Sequence, residues 1–121
     1  MRLSLFKWRA HFYSDAAWLL YLLKKQIKSH QTFSIYGAGE LGQDLYFRAL
    51  ANNLTADFWF DKIAQVKPFS VFDFDIQSPQ QLDAKQFDYI VIASNAYLSE
   101  IKNFLLEQGV QPSQIIGLDL C

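Results

Sequence analysis

Cysteine is almost absent from this sequence: Cys121 is the single one. One thiol closes no internal disulfide and builds no multi-cysteine zinc site, and such usage suits a reducing compartment, so a cytoplasmic location is expected. Long apolar runs are also missing. The longest, Ala16 to Leu23, falls far short of the roughly 20 residues that cross a bilayer. Lys24, Lys25 and Lys28 follow that run where a signal peptide would place its small-residue cleavage site, so no secretory signal is expected. Histidine is scarce. His11 and His30 both precede the first expected strand, and no Ser-His-Asp, Cys-His or H-E-x-x-H pattern accompanies them, so hydrolase chemistry and a metal site have no support. Charged residues make up only 19% against 51% hydrophobic and 17% aromatic, the reverse of the balance that keeps chains disordered. A folded domain with a real core is implied.

The formal net charge of −1 hides an asymmetry. Residues 1 to 30 carry Arg2, Lys7, Arg9, Lys24, Lys25 and Lys28 against Asp15 alone, leaving five basic and eleven acidic residues in the rest. A basic, aromatic leader on an acidic body suits either packing of the leader on the body or contact with a membrane surface or other anionic partner. The acidic body gives no support for nucleic-acid binding. Trp8 and Trp18, two of the three tryptophans, lie in the leader.

Apolar residues from Leu5 through Trp8, Phe12, Ala16, Leu19, Leu23 and Ile27 recur at helical spacing, which predicts an amphipathic helix running to about Ser29. Ser14 before Asp15 reads as an internal N-cap that breaks it. After His30 the pattern alternates. Strands are expected at 32–36, 56–60, 71–74, 89–94 and 114–118, with helices at 40–51 and 96–108 and a short helix start at Ser78 with Pro79. Asn52 and Asn53 should end the first of these helices, and Gly109 the second. The order calls for an α/β domain, a parallel sheet covered by helices, with residues 1–30 as leader and 31–121 as the sheet domain.

The stretch "FSIYGAGELGQDLYF" carries the chemistry. Gly37, Gly39 and Gly42 satisfy G-x-G-x-x-G between a predicted strand and a predicted helix, the context that gives this motif meaning. The first glycine allows a tight turn, the second lets the backbone approach a pyrophosphate, and the third lets helix and strand pack closely. The helix N-terminus then offers free N–H groups to phosphate. Asp61, 19 residues after Gly42, ends the second strand, where a carboxylate accepts from a ribose diol. The alternative is that the glycines only make the turn and Asp61 caps the loop. A carboxylate there favours NAD over NADP, although Lys62 stands next to it. Glu40 suits the helix dipole but would repel phosphate if its side chain turned inward. Ser94 and Asn95 follow the fourth strand at its carboxyl end, where they either meet the ligand or cap the following helix.

"IYGAGELGQDLY", "FWFDK", "QSPQQL", "FDYIVIASNAYLSEIKNFLLEQGV" and "QII", in this order, resemble the small Rossmann-like domains associated with nucleotide-sugar and surface-polysaccharide enzymes. Similar domains precede the catalytic half of membrane-linked epimerases and dehydratases, and others are similar to the C-terminal part of sugar methyltransferases. The resemblance covers Thr32 to Leu118. It implies a ligand, NAD(P) or a nucleotide sugar such as a UDP-sugar, on Gly37, Ala38, Gly39, Glu40, Leu41, Gly42 and Asp61, and the fold expected is a Rossmann-like three-layer domain of about five strands in the order 3-2-1-4-5. In the multi-domain relatives a separate domain supplies the reaction, and no residues remain here for one.

Three functions compete. One is a stand-alone nucleotide-binding module accessory to sugar-nucleotide or surface-polysaccharide metabolism. The second is an NAD-dependent oxidoreductase or epimerase-type subunit, completed by oligomerisation or a partner enzyme, with Tyr97 or Ser94 as proton donor. The third is a non-catalytic scaffold whose leader pairs with a partner or with itself. An S-adenosylmethionine site, which also pairs a glycine loop with an acidic strand end, is weaker. Tyr21 and Lys25 match the Y-x-x-x-K spacing of short-chain dehydrogenases, but they precede the first strand and are read as chance.

Overall fold

The computed structural model of the chain describes residues 14–119. Ser14 is the expected cap: its hydroxyl accepts from the Ala17 N–H at 3.1 Å and opens helix α1 (Asp15–Gln26). The helix stops short of Ser29 because Ile27 is already extended and His30 takes a positive φ of 68°. The expected helical residues before Ser14 lie outside the described residues. Ala16, Leu19, Leu20, Leu22 and Leu23 are buried on one side of α1 and share a cluster with Phe33, Ile35, Leu45, Ala49 and Trp59. The described part of the leader therefore packs on the body and contributes to the same core.

Strand β1 (Phe33–Tyr36) runs into Gly37, and helix α2 (Glu40–Ala51) follows with the expected bounds. Asn52 caps its end and Asn53 takes the left-handed conformation, φ 61°, that commonly closes a helix. Strand β2 (Phe58–Phe60) ends at Asp61, whose carboxylate caps a single turn of 3-10 helix, Lys62–Gln65. Further on, Ser78 and Gln81 form a capping box around Pro79–Gln81, also a 3-10 turn.

Among the described residues the sheet has four strands, all parallel, in the order β2-β1-β5-β6, with β5 at Tyr89–Ile92 and β6 at Ile115–Ile116. β1 pairs with β2 on one side (Ile35 opposite Trp59) and with β5 on the other (Ile35 opposite Val91). Alternation along β1 sends Phe33 and Ile35 toward α1 and α2, and Tyr36 toward helix α3 (Leu98–Glu107). The result is three layers, consistent at a coarse level with a Rossmann-like α/β fold. Full burial of Phe33, Trp59 and Phe60 contributes roughly 1.5–3 kcal/mol apiece before the entropy of ordering is subtracted.

The expectation of a strand at Val71 to Phe74 on the edge of this sheet, and with it the five-strand order 3-2-1-4-5, is corrected. Phe72 and Asp73 are the two central residues of a turn, with φ of 50° and 63°. That turn joins β3 (Phe69–Val71) to β4 (Phe74–Ile76) in a separate antiparallel hairpin. Positive φ at both positions is the two-residue hairpin geometry that normally selects Asn-Gly or Asp-Gly. A phenylalanine there conceals the turn from sequence reading, because bulky residues rarely take that conformation. Beside β2, the place of a third strand is held by one parallel bridge between Phe60 and Gln77. Its hydrogen bonds run from the Gln77 N–H to the Trp59 carbonyl at 2.8 Å and from the Asp61 N–H to the Gln77 carbonyl at 3.1 Å.

Helix α3 begins two residues later than expected, since the Ser94 hydroxyl accepts from the Tyr97 N–H at 3.2 Å and holds residues 94–97 in a turn. It ends before Gly109, as expected, with φ 92° at that glycine. The last strand is only Ile115–Ile116, shorter than the 114–118 expected.

Candidate functional site

A cleft of about 610 Å³ lies over the carboxyl ends of β1, β2 and β5. From β1 the sheet extends to β2 on one side and to β5 on the other, and open α/β sheets hold ligands at such a reversal of strand order. Gly37, Gly39, Asp61 and Lys62 line one wall, and Ser94, Tyr97 and Glu100 another, with Tyr36 between them.

The three glycines have different reasons to be there. Gly37 turns the chain with φ 119°, and a Cβ on it would stand 2.5 Å from the Ala93 carbonyl oxygen. Gly42, in the first turn of α2, has no room for a Cβ, which would overlap the Gly37 carbonyl oxygen. Packing demands both. Gly39 is otherwise: its φ of −81° suits any residue, and a Cβ would meet nothing within 4 Å. Packing does not demand a glycine at this position, where it is the N-cap of α2, and the space beside it opens into the cleft.

Around these glycines the loop is held firmly. The buried Trp59 indole N–H donates to the Gly37 carbonyl at 2.7 Å, and the Gly37 N–H donates to the Phe60 carbonyl at 2.7 Å. Gln43 reaches back to the Ala38 carbonyl at 3.0 Å. The Asp61 carboxylate accepts from the Ala38 N–H at 2.7 Å with one oxygen and from the Ile63 N–H at 2.9 Å with the other. Asp61 is therefore a brace for both loops. A carboxylate has about four lone-pair positions, so two remain for a ligand.

Helix α2 starts at Gly39 with no side-chain cap. The N–H groups of Gly39, Glu40 and Leu41 meet no protein acceptor among the described residues. These are the orphan donors and the positive dipole end to which anions bind. The Ala38 N–H, which the motif also places here, is taken by Asp61. Glu40 is exposed and does not line the cleft, so its charge does not enter it. Leu41 packs its side chain on the core and offers only its backbone.

Of the two residues expected after the fourth strand, Ser94 lines the cleft while also holding its turn. Asn95 does not line it: its side-chain amide donates to Asp15 of α1 at 2.8 Å, tying the helix start to the sheet edge. Tyr97 stands 60% exposed at the mouth. Tyr21 and Lys25 are far from this chemistry: the lysine sits 5.3 Å over the tyrosine ring, and both line a separate groove of about 540 Å³ between α1 and α2. His30 is exposed in the turn after α1, and His11 lies outside the described residues.

Sequence reasoning missed Tyr36. It immediately precedes Gly37, is 4% exposed, and lines the cleft with the Phe104 ring edge-on at 6.2 Å. Burial, and secondarily the negative charge of Asp61, push its pKa up to about 12, so the phenol stays a neutral donor. The available signal was alternation: Tyr36 shares a strand face with Ser34, two hydroxyls on the same side of an otherwise apolar strand. Among the described residues no group of three or more His, Cys, Asp or Glu is placed to hold a metal, and no helix is long and apolar enough to cross a membrane.

Residues 29–116 match the family model described as C2185-like, N-terminal. The chain belongs to this family. The C2185-like segment contains the glycine loop, Asp61, Tyr36 and the whole parallel sheet, and it begins after α1. No curated protein matches the chain.

Proposed function

We propose that this C2185-like domain is a nucleotide-binding module whose glycine loop holds the diphosphate of NAD(P) or a nucleotide sugar. The observation that carries the reading is Gly39, which protein packing leaves unconstrained, at the uncapped start of α2 and beside open space in the cleft. The Gly39, Glu40 and Leu41 amides bind the phosphates, and the free lone pairs of Asp61 accept from the ribose. Asn95 has no contact role in this reading, since it is bonded to Asp15. The domain is then a Rossmann-like variant in which the Gln77 bridge stands where a further strand would extend the sheet. NAD is preferred over NADP because the acidic brace repels a 2′-phosphate, and the resemblance to domains of nucleotide-sugar enzymes favours an accessory role in surface-polysaccharide metabolism, in the cytoplasm.

A second reading, an oxidoreductase completed by another subunit, is favoured by Ser94 and Tyr97 lining the cleft wall, where a proton donor would stand. Thermal denaturation with NAD⁺, NADH, NADP⁺, UDP and UDP-sugars tests binding. A ligand at 100 times its dissociation constant stabilises by about 2.7 kcal/mol, and no shift with any of them removes the proposal.

A further inference from the structure

We infer that the Tyr36 hydroxyl is the residue by which this cleft selects its ligand, donating a hydrogen bond to a neutral acceptor, a carbonyl oxygen or ring nitrogen, on the nucleotide. The inference rests on the cleft being a nucleotide site. Among the described residues the hydroxyl has no protein partner, although Tyr36 is 4% exposed and lines the cleft. The ring is buried, but the oxygen is not among the sealed unpartnered atoms, so in the free protein it is left to the water of the cleft, where an entering ligand would meet it. The rest of the ring is fully used: it packs with Phe60, Ile92 and Leu105 in the core and against the edge of Phe104. Only the oxygen is left to the cleft.

The surroundings define the ligand atom. The phenol is a donor and not an anion, so it does not repel an acceptor. Carboxylates of Asp61 and Glu100 line the same cleft with Lys62 as the one counter-charge among the described residues lining it, which disfavours a second anionic group deep in the site. A phosphate therefore belongs at the α2 start, and the moiety over Tyr36 is an uncharged one with acceptor atoms. Pro79, Ile101 and Phe104 give that moiety apolar walls, as a flat heterocycle requires.

Tyr36→Phe separates this role from a structural one by the sign of two effects. In the free protein the melting temperature should stay unchanged, because the substitution removes a water-accessible hydroxyl and no protein contact. Affinity for NAD⁺ or UDP-glucose, whichever the wild type binds, should fall about five- to tenfold, the worth of one hydrogen bond. Tyr89→Phe is the control of opposite sign: its hydroxyl donates to the Gln26 carbonyl at 3.3 Å at the other end of β5, so that variant should lose stability and keep its affinity. Equal affinity of wild type and Tyr36→Phe overturns the inference and leaves the nucleotide site standing. A free Tyr36→Phe protein that melts lower overturns it too, since the hydroxyl would then have a structural partner. Absence of binding by the wild type overturns the reading of the cleft itself, and the role of Tyr36 falls with it.

Discussion

Alanine placed in turn at the three glycines of the loop should separate fold from function. At Gly42 the new methyl overlaps the Gly37 carbonyl oxygen, so α2 must move off β1. Overpacking typically costs 1–3 kcal/mol, and because backbone meets backbone here the loss should reach about 3 kcal/mol. At Gly37 a positive φ of 119° and the Ala93 carbonyl 2.5 Å away act together, for roughly 2–4 kcal/mol. At Gly39 neither term applies. Alanine is the poorer N-cap by about 0.5–1 kcal/mol but loses less backbone entropy on folding, an opposing gain of about 0.4–1 kcal/mol, so the net change should stay within about 0.5 kcal/mol. For a domain of this size about 3 kcal/mol lowers the melting temperature by roughly 10–15 °C, out of a total stability of about 5–15 kcal/mol. Urea or thermal denaturation followed by tryptophan fluorescence reads all three. In the same samples Gly39→Ala should abolish the nucleotide-induced shift, because its methyl stands where the diphosphate must lie. If Gly39→Ala is destabilised as much as Gly42→Ala, the argument that packing leaves position 39 free is refuted.

Three further outcomes follow from single contacts. Trp59→Phe leaves the buried Gly37 carbonyl without its 2.7 Å donor and a void beside it, and should cost about 2–4 kcal/mol by denaturant melt; a loss under 1 kcal/mol would show the loop does not depend on that bond. Ser34 is wholly buried and its Oγ has no partner among the described residues, so Ser34→Ala should raise stability by up to about 1 kcal/mol; a drop would reveal a partner such as a buried water. Tyr36 keeps its proton in the folded state up to about pH 12 while the unfolded chain loses it near 10, so its contribution is full below pH 10 and declines as pH rises toward 12, by up to about 2–3 kcal/mol. Stability measured from pH 8 to 11.5 should therefore fall more steeply in wild type than in Tyr36→Phe, and parallel curves would contradict the burial argument.

Much of this architecture is legible in the sequence. The α2 bounds followed from Gly39, the apolar spacing and the Asn52-Asn53 stop, and the α1 cap from Ser14, because each boundary is set by local chemistry. The hairpin was not legible, since Phe72 and Asp73 adopt a turn that their side chains do not advertise. The 3-10 turn after Asp61 is hidden in the sequence for a related reason: four residues carry too little periodicity to show. At the site, the glycine spacing pointed to the loop, yet the different standing of Gly39 depends on atoms brought together from β5 and β2, which no spacing reveals. Asp61 was placed correctly at the strand end, while its bond to the Ala38 N–H required the loop to fold back over it. Asn95 looked equivalent to its neighbour Ser94 in sequence and differs from it only because α1 arrives beside it.

The central claim is that a nucleotide binds at the start of α2, and amide chemical-shift mapping by NMR tests it most directly. On titration with NAD⁺ or UDP-glucose the Gly39, Glu40 and Leu41 amide resonances should move furthest, with smaller changes at Ala38 and Ile63, whose N–H groups share the Asp61 carboxylate. Shifts confined to Tyr21, Lys25 and Arg48 in the groove between α1 and α2, or no shifts at all, would contradict it.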